Sequence, residues 1–122
     1  MVVERLSKRA LQQLLSGKIK EESATIVVKF YSNNCHYCHA LHEPYKGIAE
    51  EYQGLHFFAF NLGDYPDVER ILNFRGTPTI CVMKLGKRVP KIRVMPDPAK
   101  GKAHKKTWYP VEDIKSFIEK EK

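Results

Sequence analysis

The chain has 122 residues, three cysteines, 43% hydrophobic and 29% charged residues, and a formal net charge of +7. That length can bury one core but not two, so a single domain spanning residues 1–122 is expected. Three cysteines are too few for a disulfide-stapled scaffold, and no apolar run approaches the roughly 20 residues that span a bilayer.

VVERL (2–6) reads as a short strand. The first 15 residues are interrupted by Glu4, Arg5, Lys8 and Arg9 and so lack the apolar core of a signal peptide. A cytoplasmic location is therefore expected, with an oxidising compartment as the alternative if the chain is a mature fragment. Ser7 can cap a helix carrying Leu6, Ala10, Leu11, Leu14 and Leu15 at helical spacing, and Gly17 ends it. TIVVKFY (25–31) is β-branched and aromatic, the pattern of a strand buried on both faces. Ser32, Asn33 and Asn34 are capping residues before a helical pattern from about Cys35 to Tyr52, which Pro44 should kink. LHFFAFNL (55–62) is a third strand, and its aromatics read as sheet core. Pro66 opens a short helix whose apolar residues are Val68, Ile71 and Leu72. TICVMKL and VPKIRV flank Gly86-Lys87 as a hairpin, and Pro90 makes the second arm an edge. Pro110 begins a last helix with Val111, Ile114, Phe117 and Ile118 on one face. The order βαβαβαββα implies an α/β domain whose central sheet is covered by helices on both sides.

The chemistry concentrates in YSNNCHYCHALHEP (31–44). Cys35 and Cys38 stand where a buried strand hands over to a helix. A helix's first turn offers unpaired N–H groups and the positive dipole end, which favour a thiolate. Residues three apart share a helix face, so the two sulfurs can form a disulfide: Cys35 can attack a partner's disulfide and Cys38 can resolve the mixed disulfide from the same turn. Cys35-His36-Tyr37-Cys38-His39 also fits the C-x-x-C-H haem attachment pattern, with His39 on iron and Met83 or Met95 opposite. Cys35, Cys38, His39 and His42 could also hold zinc, or share an iron–sulfur cluster with a second copy, but four ligands on one helix do not easily surround an ion. Cys81, in an apolar strand, reads as a small buried hydrophobe. Tyr31 and Tyr37 either line a substrate surface or cover the sheet edge.

A second motif, RGTPT (75–79), precedes another strand, and its X-Pro bond can be cis at modest cost. With it the chain resembles the thioredoxin family, whose members set a cis-proline loop against a CxxC. FYSNNCHYC is similar to the family's strand-to-active-site segment. YKGIAEEYQG and DVERILNFRGTPTI are most similar to the catalytic domains of protein disulfide isomerases, as is the C-terminal stretch from MPDPAKG to the last helix. The resemblance implies a thioredoxin fold with a mixed sheet and a protein-disulfide oxidoreductase that uses no cofactor beyond its cysteines. It makes Cys35 the exposed nucleophile, Cys38 the buried resolving thiol and Pro78 the cis proline facing them. Thr77 offers its backbone to an extended substrate segment. Expected partners are protein substrates with disulfides or thiols and a thioredoxin-reductase-like electron donor, with the protein acting as a monomer away from membranes.

Several positions depart from the family. Asn34 replaces the usual tryptophan before the first cysteine, and Glu43 occupies the helix-proline position, with Pro44 following. His36-Tyr37 is neither Gly-Pro nor Gly-His, and Tyr37 is similar to the glutaredoxin residue. Lys29 stands where the family has a buried carboxylate. His36, Tyr37 and Lys29 are therefore the candidate tuners of the redox couple. Lys29 shares a strand face with Val27 and Tyr31, the face expected under the CxxC turn. Residues 84–106 hold nine Lys/Arg and one acid, Asp97. No stacking aromatics are interleaved there, so a solvated basic loop is expected and no nucleic-acid partner.

Overall fold

The computed structural model describes residues 3–17, 23–86 and 89–122. Its elements are β1 (Val3–Arg5), α1 (Lys8–Ser16), β2 (Thr25–Tyr31), α2 (His36–Glu51), β3 (His56–Asn61), α3 (Val68–Leu72), β4 (Thr79–Lys84), β5 (Lys91–Val94) and α4 (Val111–Glu121), with a 3-10 turn at Leu62–Asp64. The sheet order is β1-β3-β2-β4-β5. β1, β3 and β2 run parallel, whereas β4 and β5 are antiparallel additions, giving the expected mixed sheet. Val2 of the first expected strand and Lys87 of the expected hairpin turn lie outside the described residues.

The local signals act as physical chemistry requires. Ser7 Oγ accepts the Ala10 N–H at 3.1 Å, and Gly17 closes α1 with φ 71°, a left-handed conformation that glycine adopts without strain. β5 is a sheet edge and Pro90 stays outside it, so no ladder bond is lost. α2 continues through Pro44. One apolar expectation fails: Ile71 is 47% exposed, because a five-residue helix turns only Val68 fully into the core.

Strand alternation sorts the interior into two layers. Ile26, Val28 and Phe30 face α1 and α3, in a layer with Leu11, Leu14, Phe60, Cys81 and Met83. Val27 faces α2 and α4, in a layer with Leu41, Tyr45, Ile48, Phe57, Ile80 and Ile114. Lys29, between Val28 and Phe30, points into the second layer. Tyr45 pins that layer to the sheet: its hydroxyl lies 2.8 Å from the Phe58 carbonyl and 3.2 Å from the Val27 carbonyl, as donor, on neighbouring strands.

Candidate active site

β2 ends at Tyr31, and four residues later the chain enters α2. The capping residue is Cys35 itself, not Ser32, Asn33 or Asn34 as the sequence suggested. Its backbone is extended, and its Sγ receives the Cys38 N–H at 3.1 Å. Two of the three expected caps are engaged elsewhere. Ser32 Oγ and Thr77 Oγ1 are 2.9 Å apart, and Asn33 Oδ1 accepts from Asn61 Nδ2 at 3.0 Å. The strand-end loop is thereby tied both to β3 and to the segment before β4.

Cys35 and Cys38 form a disulfide with their Cα atoms 5.2 Å apart. Cys35 keeps 9% of its surface accessible and Cys38 keeps 4%. Cys35 is thus the more accessible of the two, yet nearly buried, less open than the word exposed suggested. The Thr77–Pro78 bond is cis. Its loop is fixed by Gly76, whose φ is 80° and whose N–H donates to Glu69 Oε2 at 2.7 Å, and by Thr79 Oγ1 donating to the Gly76 carbonyl at 2.7 Å. The Ser32–Thr77 contact joins this loop to the one that carries Cys35.

His36 is exposed at the helix start, its ring centroid 6.2 Å from that of Tyr37. Tyr37 lies 5.6 Å from Trp108, a residue the sequence did not single out. Trp108 is held at φ 65° by a short bridge with His104, so the basic C-terminal loop delivers an aromatic ring to the CxxC turn. An indole returns to the site from a distant part of the chain, where Asn34 lacks one. No spacing rule links residues 37 and 108. Only the folded loop does.

Lys29 is 3% exposed. Its Nζ sits 5.0 Å from the Tyr45 ring centroid and 6.0 Å from that of Tyr31, favourable for a cation over an aromatic face. Burial lowers its pKa to about 8. Lys29 and Cys38 line one cleft, so the expected placement beneath the CxxC turn holds. Burial also pushes the Cys81 thiol up to about 12, which leaves it unreactive.

Within the chain, the zinc and haem ligand sets do not come together. Among the described residues no group of three or more His, Cys, Asp or Glu converges. His39 Nε2 lies 3.1 Å from the Asn33 carbonyl, Met83 is buried in the layer under α1 and α3, and Met95 belongs to the opposite one.

The family model for thioredoxin matches residues 5–106. The chain belongs to the thioredoxin family. Thioredoxin H2 of Arabidopsis thaliana is 28% identical over 90 residues, a match covering 74% of this chain and 68% of the relative. The solved thioredoxin of Trichomonas vaginalis superposes with a TM-score of 0.72 at 19% identity, over 99% of this chain and 98% of that one. The J-Trx1 fragment of ERdj5 gives a TM-score of 0.68 at 19% identity. It covers 98% of this chain, which spans about half of that fragment, 49%. With its bonded Cys35–Cys38 pair, this family member is a thiol–disulfide oxidoreductase. No helix among the described residues is long and apolar enough to cross a membrane.

Proposed function

We propose that residues 1–122 act as one monomeric domain that reduces disulfides in other proteins, with Cys35 attacking and Cys38 resolving. The observation that carries this is the Cys38 N–H directed at Cys35 Sγ from the first turn of a 16-residue helix. In the reduced protein the same N–H and the helix dipole stabilise a Cys35 thiolate. That thiolate attacks one sulfur of a substrate disulfide. A new S–S bond forms, and the other substrate sulfur leaves as a thiolate that takes a proton from water. Cys38 then loses its proton and attacks Cys35 Sγ. The mixed disulfide breaks, and the second substrate sulfur leaves as a thiolate. Two electrons have passed to the substrate, and Cys35–Cys38 is again a disulfide.

Lys29 is the residue we assign to the Cys38 proton. Its position on the Cys38 cleft and its lowered pKa support this, because a partly neutral amine accepts a proton where an ammonium cannot. Thr77 and Pro78 form the rim against which an extended substrate segment pairs through its backbone, and His36 and Tyr37 border the attacked bond. A thioredoxin-reductase-like dithiol donor returns the electrons, which places the protein in a reducing compartment such as the cytoplasm.

The test is the reduction potential of the Cys35–Cys38 pair, read by equilibration with a glutathione series. A value near or below about −270 mV is expected of a reductase. A value near about −180 mV or higher would overturn the direction and make the protein an oxidase or isomerase.

A further inference from the structure

Strand register leaves a gap beside Cys38. Arg5, Ala59 and Lys29 form one row across β1, β3 and β2, so their side chains leave the sheet on the same face. Neighbouring strands are about 4.8 Å apart, so the two cations are anchored about 10 Å apart with only a methyl group between them. α2 roofs this gap with Cys38, His42, Tyr45 and Lys46, enclosing a cleft of about 640 Å³. That is the size of a small-molecule site, typically about 300–1,000 Å³.

The lining is electrically one-sided. Arg5, Lys29 and Lys46 contribute three cations, and His39 and His42 two imidazoles, and among the described residues no carboxylate lines the cleft. Glu43 and Glu50, on the same helix, do not reach it. Lys29 is the buried member of the set. Among the described residues its ammonium makes no ion pair or hydrogen bond; it has the Tyr45 and Tyr31 rings beside it, and its Nζ itself opens onto the cleft. A buried charge normally has a counter-charge, because desolvation is otherwise uncompensated. The remaining walls, Val3, Ala59, the two tyrosine rings and Cys38, are apolar apart from Ser32.

We propose that this cleft binds a small organic carboxylate, its charged end between Lys29 and Arg5 and its apolar body over Ala59. Arg5 at the exposed mouth offers the planar fork that carboxylates match, and Lys29 offers a point charge at the inner end of the cleft. Charge complementarity selects the anion, and the aromatic walls select a ligand with a hydrocarbon portion over a bare inorganic ion. Occupancy would fix Lys29 as an ammonium and slow the proton transfer assigned to it. That consequence rests on the function proposed above, whereas the binding does not.

Phenylacetate is the probe, titrated into the oxidised protein while backbone amide resonances are followed by NMR. Saturable shifts are expected at Cys38, His42, Tyr45 and Ala59, with a Kd of about 1 mM or tighter. Lys29→Met removes the buried charge, and Ala59→Leu fills the floor while keeping both cations. Each should weaken binding at least about tenfold in protein that melts cooperatively, and Lys120→Met, on exposed α4, should not. The neutral analogue 2-phenylethanol should bind at least about tenfold more weakly. Shifts that fail to saturate by about 50 mM would overturn the proposal. So would equal binding by Lys29→Met or Ala59→Leu, or equal affinity for the alcohol. Because the oxidised protein is read without turnover, a failure here leaves the thiol roles standing, and an inactive CxxC leaves the binding standing.

Discussion

Register places two buried polar groups one residue apart on opposite faces of the sheet. Cys81 pairs with Val28 and looks toward α1 and α3, and Lys29 pairs with Ile80 and looks toward α2. The first layer closes over Cys81, so its thiol is sealed at 0% exposure and its pKa is driven up by burial. The second layer is interrupted at Ala59, so a lysine head has a cleft to enter, and the nearby sulfurs sit at a helix end with an N–H aimed at one of them. Reactivity in this molecule follows from where packing is left unfinished, not from residue type. Three cysteines of one residue type divide into a sealed thiol and a pair that share a disulfide at a helix end.

The largest effect expected from that contrast is in thiol chemistry. Cys35→Ser should abolish disulfide turnover, a loss of at least about 10³-fold, since it removes the attacking thiol and leaves Cys38, the more buried of the pair, without a partner. Cys38→Ser should keep the first attack and accumulate mixed disulfides with substrate proteins, visible as reducible adducts on a gel. In the reduced wild-type protein, iodoacetamide should label Cys35 first at neutral pH and reach Cys81 only after denaturation. Native labelling of Cys81 at a comparable rate would erase the distinction between the faces.

Much of this was legible before folding. The period of two in TIVVKFY placed Lys29 opposite Val28 and Phe30, and the strand–CxxC–helix order placed a thiol at a dipole. What stayed hidden depended on contacts across long separations. The cap role of Cys35 was masked because Ser32 and Asn33 are better capping residues by type, yet tertiary bonds to Thr77 and Asn61 recruit them. Trp108 reaches Tyr37 only because the His104 bridge turns its loop back. Ala59 carries no signal of its own within LHFFAFNL. Its importance lies in its register between Arg5 and Lys29, which pairing sets and composition does not.

Lys29→Met should produce the next largest effect, in two directions at once. Disulfide reduction near pH 7 should fall about 10²-fold, as expected for loss of one proton-transfer group at the lower end of its range. Stability should rise. The folded pKa is about 8 against 10.5 for the free side chain. Below about pH 8 the lysine is charged in both states, and the native state bears the whole cost of burying it. Between about 8 and 10.5 the unfolded chain holds the proton more tightly, so native stability increases with pH, and above that window the penalty is gone. Met, of similar length and uncharged, should be more stable than wild type by about 1–3 kcal/mol at pH 7, with the advantage vanishing by about pH 10.5. Denaturant melts of both proteins from pH 6 to 11 measure it. Parallel curves would mean that water in the cleft already solvates the ammonium, and that Lys29 is no more strained than a surface lysine.

The smallest effect belongs to the sealed face. Cys81→Ala deletes one sulfur from a layer bounded by Val28, Phe30 and Met83, and leaves a void of about one heavy atom. Large-to-small changes of that size cost the transfer energy of the lost atom plus a cavity contribution, together about 1 kcal/mol. The side chain's only polar environment is the strand backbone around Val28, so no buried group is stranded by its removal. Activity should therefore stay within about twofold of wild type, and the iodoacetamide pattern at Cys35 should be unchanged. Cys81→Ser discriminates further. It keeps the volume but buries a hydroxyl among apolar side chains, which should cost more than alanine, about 1–3 kcal/mol, unless the hydroxyl takes over the backbone contact. Serine melting above alanine would show that the layer tolerates polarity there. In that case the difference between the faces would rest on the helix end and the cleft alone, not on the completeness of packing.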